Sequence, residues 1–224
     1  MFQPDAFFDL SSFEYADLFE GGEYVWEALS RLETYLLART PQENRILGTV
    51  HPGAFLVGEH ILIEEEAIVE PGAYIEGPAL IGRGAVVRHG AYVRPNTLAG
   101  ARSVIGHTTE TKNTIFFPES KAAHFAYVGD SILGNRVNLG AGTKLANFRL
   151  GGGIIKVRVE GESRPISTGR NKLGAILGDD CQLGCNCVCN PGTLLGPRCA
   201  VRPLTTVQGY HPARTQLKPP PSVK

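Results

Sequence analysis

Two basic residues, Arg94 and Lys112, stand 18 positions apart in a stretch of the chain that repeats every six residues. If three repeats make one coil, the two side chains lie in adjacent turns about 4.8 Å apart. Like charges stacked in this way repel unless an anion lies beside them, so the spacing indicates a phosphate site. The alternative is a surface ladder in which Glu76 and Glu110 neutralise the cations, and the spacing alone leaves both interpretations open.

Histidine and cysteine residues are the other candidates for chemistry. His89 and His107 are also 18 apart, but the repeat places no third ligand beside them, which favours a polar stack over a metal site. The five cysteines fall between Cys181 and Cys199. The cluster at positions 185, 187 and 189 would split its side chains between the two faces of a strand. We therefore predict reduced thiols that serve as small core residues, and no bound metal.

The repeat that positions these residues runs from Val57 to Glu110 and divides into nine six-residue units without remainder. Eight of the nine units begin with Val or Ile, and the fifth residue is Ala in five of them. Neither a helical nor a strand period fits this pattern, whereas a hexapeptide repeat does. We predict an all-β solenoid in which each unit forms a short strand and a corner, with the branched residue inside and the small residue at the bend.

Residues 1–45 differ from the repeats and predict a helical segment. A first helix is expected after Ser11 and Ser12, within FEYADLFE, and a second within EYVWEALSRLETYLLAR. The second helix has an apolar stripe that consists of Val25, Leu29, Leu32 and Leu36. We expect these helices to cover the open end of the solenoid, where strand edges are unpaired, or to pack on a neighbouring subunit.

The six-residue period lapses between Thr111 and Tyr127, and the lapse is one residue shorter than a coil. We therefore expect a looser coil with a bulging loop, which is a common place for functional residues. His124 falls within this lapse, away from the register of the repeats. A lone histidine is more often structural than catalytic, so the position by itself assigns no role.

A second interruption contains the alternating stretch IIKVRVEGESRPIST, which predicts a β-hairpin within an insert over residues 149–172. Such an arm would be expected to reach a partner subunit. The repeats then resume, and Cys181, Cys187 and Cys199 take the small inward position. We predict a β-helix over residues 46–210 and an extended C-terminal tail over residues 211–224.

Composition excludes several classes of partner. Lys and Arg together number 22, as do Asp and Glu, so net charge gives no general attraction to nucleic acid or anionic membranes. No apolar run approaches the roughly 18 residues of a membrane span, and the first ten residues lack the layout of a signal peptide. We predict a cytoplasmic protein with neither nucleic acid nor membrane as a partner.

A more specific signal is the motif K-A-x-H-x-x-Y-x-G-D over residues 121–130, followed by G-x-x-V-N-x-G-A-G-T over residues 134–143 and then by Asn147. With its flanking repeats, this stretch resembles the acetyltransferase domain of the bifunctional N-acetylglucosamine-1-phosphate uridyltransferase/glucosamine-1-phosphate acetyltransferase. It is also similar to the archaeal-type sugar-1-phosphate nucleotidylyltransferase/acetyltransferases, which carry a hairpin insert at the same place. The resemblance covers about residues 50–207. It implies a left-handed parallel β-helix and a homotrimer with active sites between subunits.

The resemblance also implies roles for individual residues. His124 would be the general base that accepts a proton from the attacking sugar amine, and Asn147 would position the reacting groups. The Ala141 N–H would donate to the acetyl carbonyl as charge develops there. The implied sugar-phosphate contacts are Arg94, Lys112, Tyr127 and Asn138, with Lys156 of the hairpin close by. The implied acetyl-CoA groove includes Phe148, Cys185 and Pro203, where the family more often has Tyr, Ser and Ala.

These observations predict an acetyl-CoA-dependent N-acetyltransferase that acts on an amino-sugar 1-phosphate such as glucosamine 1-phosphate. No nucleotidyltransferase activity is expected, because residues 1–50 contain no glycine-rich nucleotide loop. The alternative is a non-catalytic trimer that binds a sugar nucleotide or a protein partner. A γ-class carbonic anhydrase would need three histidines converging on a metal, and the spacing of His89, His107 and His124 does not resemble that pattern.

Overall fold

The chain forms a parallel β-helix with three flat walls. A computed structural model describes residues 1–161 and 163–219. Each coil supplies short strands to the walls, and neighbouring strands of one wall come from successive coils and pair in parallel. The left-handed hexapeptide-repeat β-helix predicted from the sequence is confirmed.

The three walls are named sheet 1, sheet 2 and sheet 3 in the order in which the chain visits them. Sheet 1 consists of Arg45–Ile46, Ile61–Ile63, Ala79–Ile81, Thr97–Ala99, Thr114–Phe116, Ile132–Leu133, Ala175–Leu177, Thr193–Leu195 and Tyr210–His211. Sheet 2 consists of Thr49–Val50, Ile68–Val69, Val86–Val87, Val104–His107, Lys121–His124, Asn138–Leu139, Gln182–Leu183, Ala200–Val201 and Gln216–Leu217. Sheet 3 consists of Phe55–Val57, Tyr74–Glu76, Tyr92–Val93, Glu110–Lys112, Tyr127–Gly129, Lys144–Leu145, Val188–Cys189 and Thr206–Val207. We call the edges between walls the 1–2, 2–3 and 3–1 corners.

The interior of the β-helix contains the residues that the repeat pattern assigned to it. The branched first residues from Ile63 onward and the five small alanines at the fifth position are buried. Cys181, Cys187 and Cys199 take the same small position further along and are buried as well. All five cysteines are free thiols, and Cys185 is exposed. The hydrophobic core is therefore built one coil at a time, as the hexapeptide period requires.

The N-terminal segment contains one α-helix, α1, over Ala28–Arg39. Its buried stripe is the predicted one, with Val25 just before the helix and Leu29, Leu32 and Leu36 within it. The first predicted helix is wrong, since Leu10–Ser12 and Ala16–Phe19 form only short 3₁₀ turns. Further 3₁₀ turns are Pro4–Ala6 and Val25–Glu27.

This segment covers the outer face of sheet 1, which corrects the expectation that it covers the open end of the β-helix or packs on a neighbouring subunit. The face is apolar because each coil contributes one leucine or isoleucine to it: Leu62, Leu80, Leu98, Ile115, Ile132, Ile176 and Leu194. Phe117 on this wall stacks against Phe13 with ring centroids 4.0 Å apart. A face of this kind requires a cover, and the aromatic N-terminus supplies it.

The structure also corrects two expectations about the solenoid itself. The lapse between Thr111 and Tyr127 is a coil of paired strands, not a bulging loop. The coils continue to Leu217, since Tyr210–His211 and Gln216–Leu217 pair with the preceding turn. The extended tail predicted from residue 211 is therefore wrong as far as Leu217, and residues 220–224 lie outside the described part of the chain.

The predicted hairpin is present, with strands Lys156–Val157 and Ile166–Ser167 paired antiparallel. Ile155 and Val157 are buried among the N-terminal aromatics rather than directed at a partner subunit. The arm therefore packs on its own chain, beside the 3–1 corner from which it emerges.

Candidate functional site

A buried carboxylate, Asp130, lies at the centre of the 3–1 corner and is only 3% exposed. Its Oδ1 accepts from Asn113 Nδ2 at 2.8 Å, and its Oδ2 accepts from Asn147 Nδ2 at 2.7 Å. Lys112 Nζ lies 3.5 Å from Oδ2 and Arg170 Nη2 lies 3.7 Å from Oδ1. We refer to these five residues as the Asp130 cluster. Two amides and two cations satisfy a charge that would otherwise be costly to bury.

The 3–1 corner is shorter here than elsewhere, which brings these side chains together. Val93 pairs with Thr111 at a sequence separation of 18, whereas Thr97 pairs with Thr114 at a separation of 17. One residue is therefore missing from the turn between Lys112 and Thr114. Asn113 and Asp130 occupy the tight turns with φ of 48° and 46°, a conformation that Asn and Asp adopt more readily than most residues.

Arg94 and Lys112 lie in adjacent turns of sheet 3, as their spacing predicted, but they have different partners. Arg94 Nη1 donates to Glu110 Oε1 at 2.8 Å, and this hydrogen bond raises the pKa of the arginine. Lys112 pairs with Asp130 instead of Glu110. The expected role of Glu76 is wrong, because its carboxylate accepts from the Tyr92 hydroxyl at 2.8 Å. Both cations remain partly exposed, so an incoming anion can reach them.

Tyr127 and Asn147 meet over Gly129 on the outer face of sheet 3. A Cβ at Gly129 would lie 2.6 Å from the Tyr127 hydroxyl and 2.7 Å from Asn147 Nδ2, so a larger residue would displace both groups. Burial raises the pKa of Tyr127, and the carboxylates of Glu110 and Asp130 add to that effect. The phenol is therefore a neutral donor at physiological pH.

His124 ends a strand of sheet 2 and lies at the 2–3 corner. It is in register with His107, so it continues the histidine column and the expectation that it lies off the register is wrong. The shortened corner explains this, because the two histidines are separated by one position less than a full coil. His107 and His89 stack with ring centroids 5.5 Å apart, as the polar stack predicted, and His107 Nδ1 lies 2.8 Å from the His89 carbonyl oxygen.

The His124 imidazole is exposed, and within the described residues its ring makes no hydrogen bond. The two histidines before it in the column differ, since each has Nδ1 near a backbone carbonyl of the preceding turn. His124 therefore has both ring nitrogens available to a ligand. Three residues later the chain reaches Tyr127, so sheet 3 lies between the imidazole and the Asp130 cluster.

Three residues that the sequence assigned to the coenzyme share the 2–3 corner with His124. One hydrogen bond per turn connects them: Gly142 N–H donates to the His124 carbonyl at 3.0 Å, Asn186 N–H to Ala141 at 2.8 Å, and Leu204 N–H to Cys185 at 3.0 Å. Pro203 precedes Leu204 in the last of these turns and is exposed, as is Cys185. The corner is thus a straight ridge with His124 at one end.

The remaining sequence-predicted residues lie elsewhere. Asn138 is on sheet 2, where it pairs with Lys121 and Gln182, and a single chain does not bring it to the Asp130 cluster. Phe148 and Lys156 line a cavity of about 670 Å³ between the hairpin and the 3–1 corner. Phe148 is therefore separated from Cys185 and Pro203, with which the sequence had grouped it.

Sequence reasoning missed Asp130, Asn113 and Arg170 as members of the site. Asp130 ends the K-A-x-H-x-x-Y-x-G-D motif, and Asn113, Asp130 and Asn147 follow one another at a constant sequence separation of 17. That spacing was a usable signal, because it matches the local coil length. No such spacing marked Arg170, because it lies within the insert, just after the hairpin strands. Burial lowers the pKa of its guanidinium, and the Asp130 carboxylate opposes that shift.

Two negative observations complete the description. Among residues 1–161 and 163–219, no group of three or more His, Cys, Asp and Glu side chains could hold a metal ion. Within those same ranges, no helix is both long and apolar enough to cross a membrane.

Comparison with known proteins finds one family model and several relatives that are similar to this chain. The family described as GMPPB C-terminal domain matches residues 75–164. The bifunctional sugar-1-phosphate nucleotidylyltransferase/acetyltransferase of Sulfurisphaera tokodaii is 39% identical over 70% of this chain and 38% of its own length. The bifunctional protein GlmU of Methanococcus maripaludis is 36% identical over 77% of this chain and 40% of its own length. The uncharacterized acetyltransferase YaiX of Escherichia coli is 37% identical over 64% of this chain and 62% of its own length.

The chain therefore spans about two fifths of the length of the bifunctional relatives it matches. The resemblance to their acetyltransferase part, read from the motif around His124, is confirmed.

Proposed function

We propose that this chain, a homologue of the C-terminal part of the bifunctional sugar-1-phosphate nucleotidylyltransferase/acetyltransferases, is an acetyl-CoA-dependent N-acetyltransferase of an amino-sugar 1-phosphate. The observation that carries the proposal is that the two edges of sheet 3 present different functional groups. One edge presents the unpartnered His124 imidazole, and the other presents cations and oriented amides around Asp130.

The chemistry assigned to each group follows from the donor or acceptor atoms that it can offer to a substrate. His124 accepts the proton of the sugar amine as the nitrogen attacks the thioester carbonyl, and it returns that proton to the thiolate leaving group or to solvent. The Ala141 N–H donates to no acceptor within the described residues, so it can donate to the oxyanion and stabilise it. Arg94 and Lys112 bind the sugar phosphate, since each retains exposed donors beside its carboxylate partner.

The hydrogen bond of Asn147 limits which atom of its side chain can contact a substrate. Its Nδ2 donates to Asp130, so the group it presents to the site is the side-chain carbonyl oxygen. An acceptor at this position suits the hydroxyl or amino group of a sugar rather than a phosphate oxygen. Tyr127, next to it, supplies a hydroxyl donor.

The complete site requires more than one subunit in this proposal. Sheet 1 is covered by the chain's own N-terminal segment, while the outer faces of sheets 2 and 3 have no such cover within the described part of the chain. We propose a homotrimer in which the 2–3 corner of one subunit approaches the 3–1 corner of the next. This would bring His124, Asn138 and the coenzyme ridge to the Asp130 cluster of a neighbour. Sedimentation equilibrium tests it directly, and a monomer at micromolar concentration contradicts it.

The central experiment measures thiol release from acetyl-CoA with glucosamine 1-phosphate and with galactosamine 1-phosphate. We expect turnover with at least one acceptor, and a fall in kcat of roughly 10²–10⁴-fold in His124→Ala, since that is the usual contribution of a general base. His89→Ala is the matched control, because it removes an imidazole from the same column and should leave kcat unchanged. Equal rates in wild type and His124→Ala would remove this residue from the mechanism. Absence of turnover with both sugars would favour a non-catalytic binding protein.

A further inference from the structure

A basic cavity of about 670 Å³ opens between the hairpin and the 3–1 corner, beyond the Asp130 cluster. Its lining includes Phe148, Arg149, Lys156, Arg158, Asn190 and Gln208. Its volume is within the range of roughly 300–1,000 Å³ that small-molecule sites occupy. Only Lys156 and Phe148 of these residues were singled out by the sequence.

The lining contains three cations and, within the described residues, no acidic side chain. Lys156 and Arg158 alternate with Ile155 and Val157, which are buried on the opposite face of the strand. The alternation leaves the two basic side chains no other face, so they are directed toward the cavity. Glu160 lines the adjoining concavity on the far side of Arg158.

Contacts with the last coil hold Arg158 in place. Its carbonyl oxygen accepts from the Tyr210 N–H at 2.9 Å, and a Cβ at Gly209 would lie 3.0 Å from that oxygen. Gly209, at φ 75°, therefore allows the hairpin strand to lie flat against the β-helix. The basic side chains are mounted on a docked strand and not on a free arm.

Three like charges held in one concavity repel each other and attract an anion of matching extent. A guanidinium group can donate two parallel hydrogen bonds to two oxygens of a phosphate, and the amides of Asn190 and Gln208 add neutral donors. Phe148 is 54% exposed at the rim, and an aromatic face of this kind can stack against a nucleobase. The lining thus combines the recognition elements for a base and for more than one phosphate.

The cavity lies beside the candidate active site, although its lining shares no residue with the Asp130 cluster. Its inner wall begins at Ala146, which precedes Asn147 in the chain and donates its N–H to the Cys189 carbonyl of the next turn. Two turns of the β-helix separate Lys112 from Ala146, a distance of about 10 Å. A co-substrate with its reacting group at the Asp130 cluster can therefore extend a diphosphate into this cavity.

We propose that this cavity binds a nucleoside diphosphate, with Arg149, Lys156 and Arg158 contacting the phosphates and Phe148 contacting the base. Two sources share this chemistry: the nucleotide portion of acyl-CoA and the nucleotide of a nucleotide-linked amino sugar. The assignment of these sources rests on the acetyltransferase function proposed above, whereas the subsite itself does not.

Isothermal titration with ADP, and with inorganic pyrophosphate as a smaller probe, tests the subsite without any need for turnover. We expect saturable ADP binding that weakens about tenfold in Arg158→Ala and in Lys156→Ala, since each removes a charge-assisted hydrogen bond. Arg164→Ala is the matched control, because it removes the same charge from the same hairpin outside the cavity lining. The affected side chains are exposed, so thermal midpoints should be unchanged.

The proposal is overturned if wild-type protein shows no saturable ADP binding, or if the Arg158 and Arg164 variants bind ADP equally. Competition then identifies the source. Displacement of ADP by CoA, with a raised KM for acetyl-CoA in Arg158→Ala, assigns the subsite to the coenzyme. Displacement by a uridine-diphosphate-linked amino sugar assigns it to the acceptor, and displacement by neither refutes both sources. Intact ADP binding without acetyl transfer would contradict the proposed function alone.

Discussion

The 2–3 and 3–1 corners of this β-helix hold candidate functional residues in opposite ways. At the 2–3 corner one backbone hydrogen bond per turn supports a straight ridge, and the His124 imidazole projects from it without a partner among the described residues. At the 3–1 corner the coil is one residue shorter, and a buried carboxylate gathers two amides and two cations. A regular repeat can expose a reactive side chain to solvent without giving it a hydrogen-bond partner. Orienting an amide and burying a charge required a departure from the repeat.

The two corners should therefore respond differently to substitution. Removing an exposed imidazole changes what the surface can do, and the interior is unaffected. Removing a buried charge leaves its cations and donors without a partner, which destabilises the fold as well as the site.

The largest effect on stability is expected from Asp130→Asn. The substitution retains the shape but places an NH₂ group against an amide donor and removes the counter-charge of Lys112 and Arg170. Breaking a buried ion pair from one side costs about 3–5 kcal/mol of unfolding free energy. Thermal and denaturant unfolding midpoints measure the loss.

Asp180→Asn is the control, because Asp180 forms a more exposed ion pair with Arg136 at 2.7 Å, and such pairs contribute about 0–1 kcal/mol. His124→Ala should leave the midpoint unchanged. The contrast between corners fails if Asp130→Asn and His124→Ala shift the midpoint by similar amounts.

A smaller effect, on substrate affinity, is expected from Lys112→Met at the 3–1 corner. Loss of a charge-assisted hydrogen bond to the sugar phosphate should raise the KM for the amino-sugar phosphate about 10–100-fold, with a smaller change in kcat. His124→Ala should show the reverse pattern. Steady-state kinetics with both variants measures the split, and a kcat loss in Lys112→Met as large as that of His124→Ala would show that the two edges are not separate in function.

The smallest expected effect is a change of stability with pH. It arises from a buried carboxylate that has no ion-pair partner among the described residues. Asp179, at the 1–2 corner, accepts from the backbone N–H groups of Asp9 and Asn135 at 2.8 and 2.7 Å, and no described Lys or Arg lies within ion-pair distance. Burial raises the pKa of this carboxyl above its ordinary value of 3.8.

A raised pKa in the folded state means that the folded chain binds the proton more readily than the unfolded chain. Its stabilising effect is therefore present below the unfolded pKa and is lost as pH rises through the folded pKa. We expect the midpoint of wild type relative to Asp179→Asn to fall as the pH increases from below the ordinary carboxyl pKa of 3.8 through the raised folded pKa. A difference that is flat, or that rises with pH, would contradict this sign.

The period of six residues made the β-helix predictable, because every coil repeats the same local requirement for a branched and a small inward residue. The hairpin followed from its own alternation, and α1 followed from its apolar stripe. The position of the N-terminal segment could not be predicted, although the leucine or isoleucine that recurs once per coil marked the face that the segment covers. Only some residues of the candidate site could be predicted from the sequence. Arg94 and Lys112 were found by spacing, whereas Arg170 reaches Asp130 only through the path of the insert.

The sequence by itself determined the architecture and the list of groups able to react, because both depend on residue types at short, regular intervals. The tertiary structure alone decided which of those groups are neutralised, oriented or left free. The one-residue shortening of the coil was visible in the sequence, but the side chains that it brings together were not. The docking of the hairpin depends on contacts between distant segments, which a local pattern does not encode.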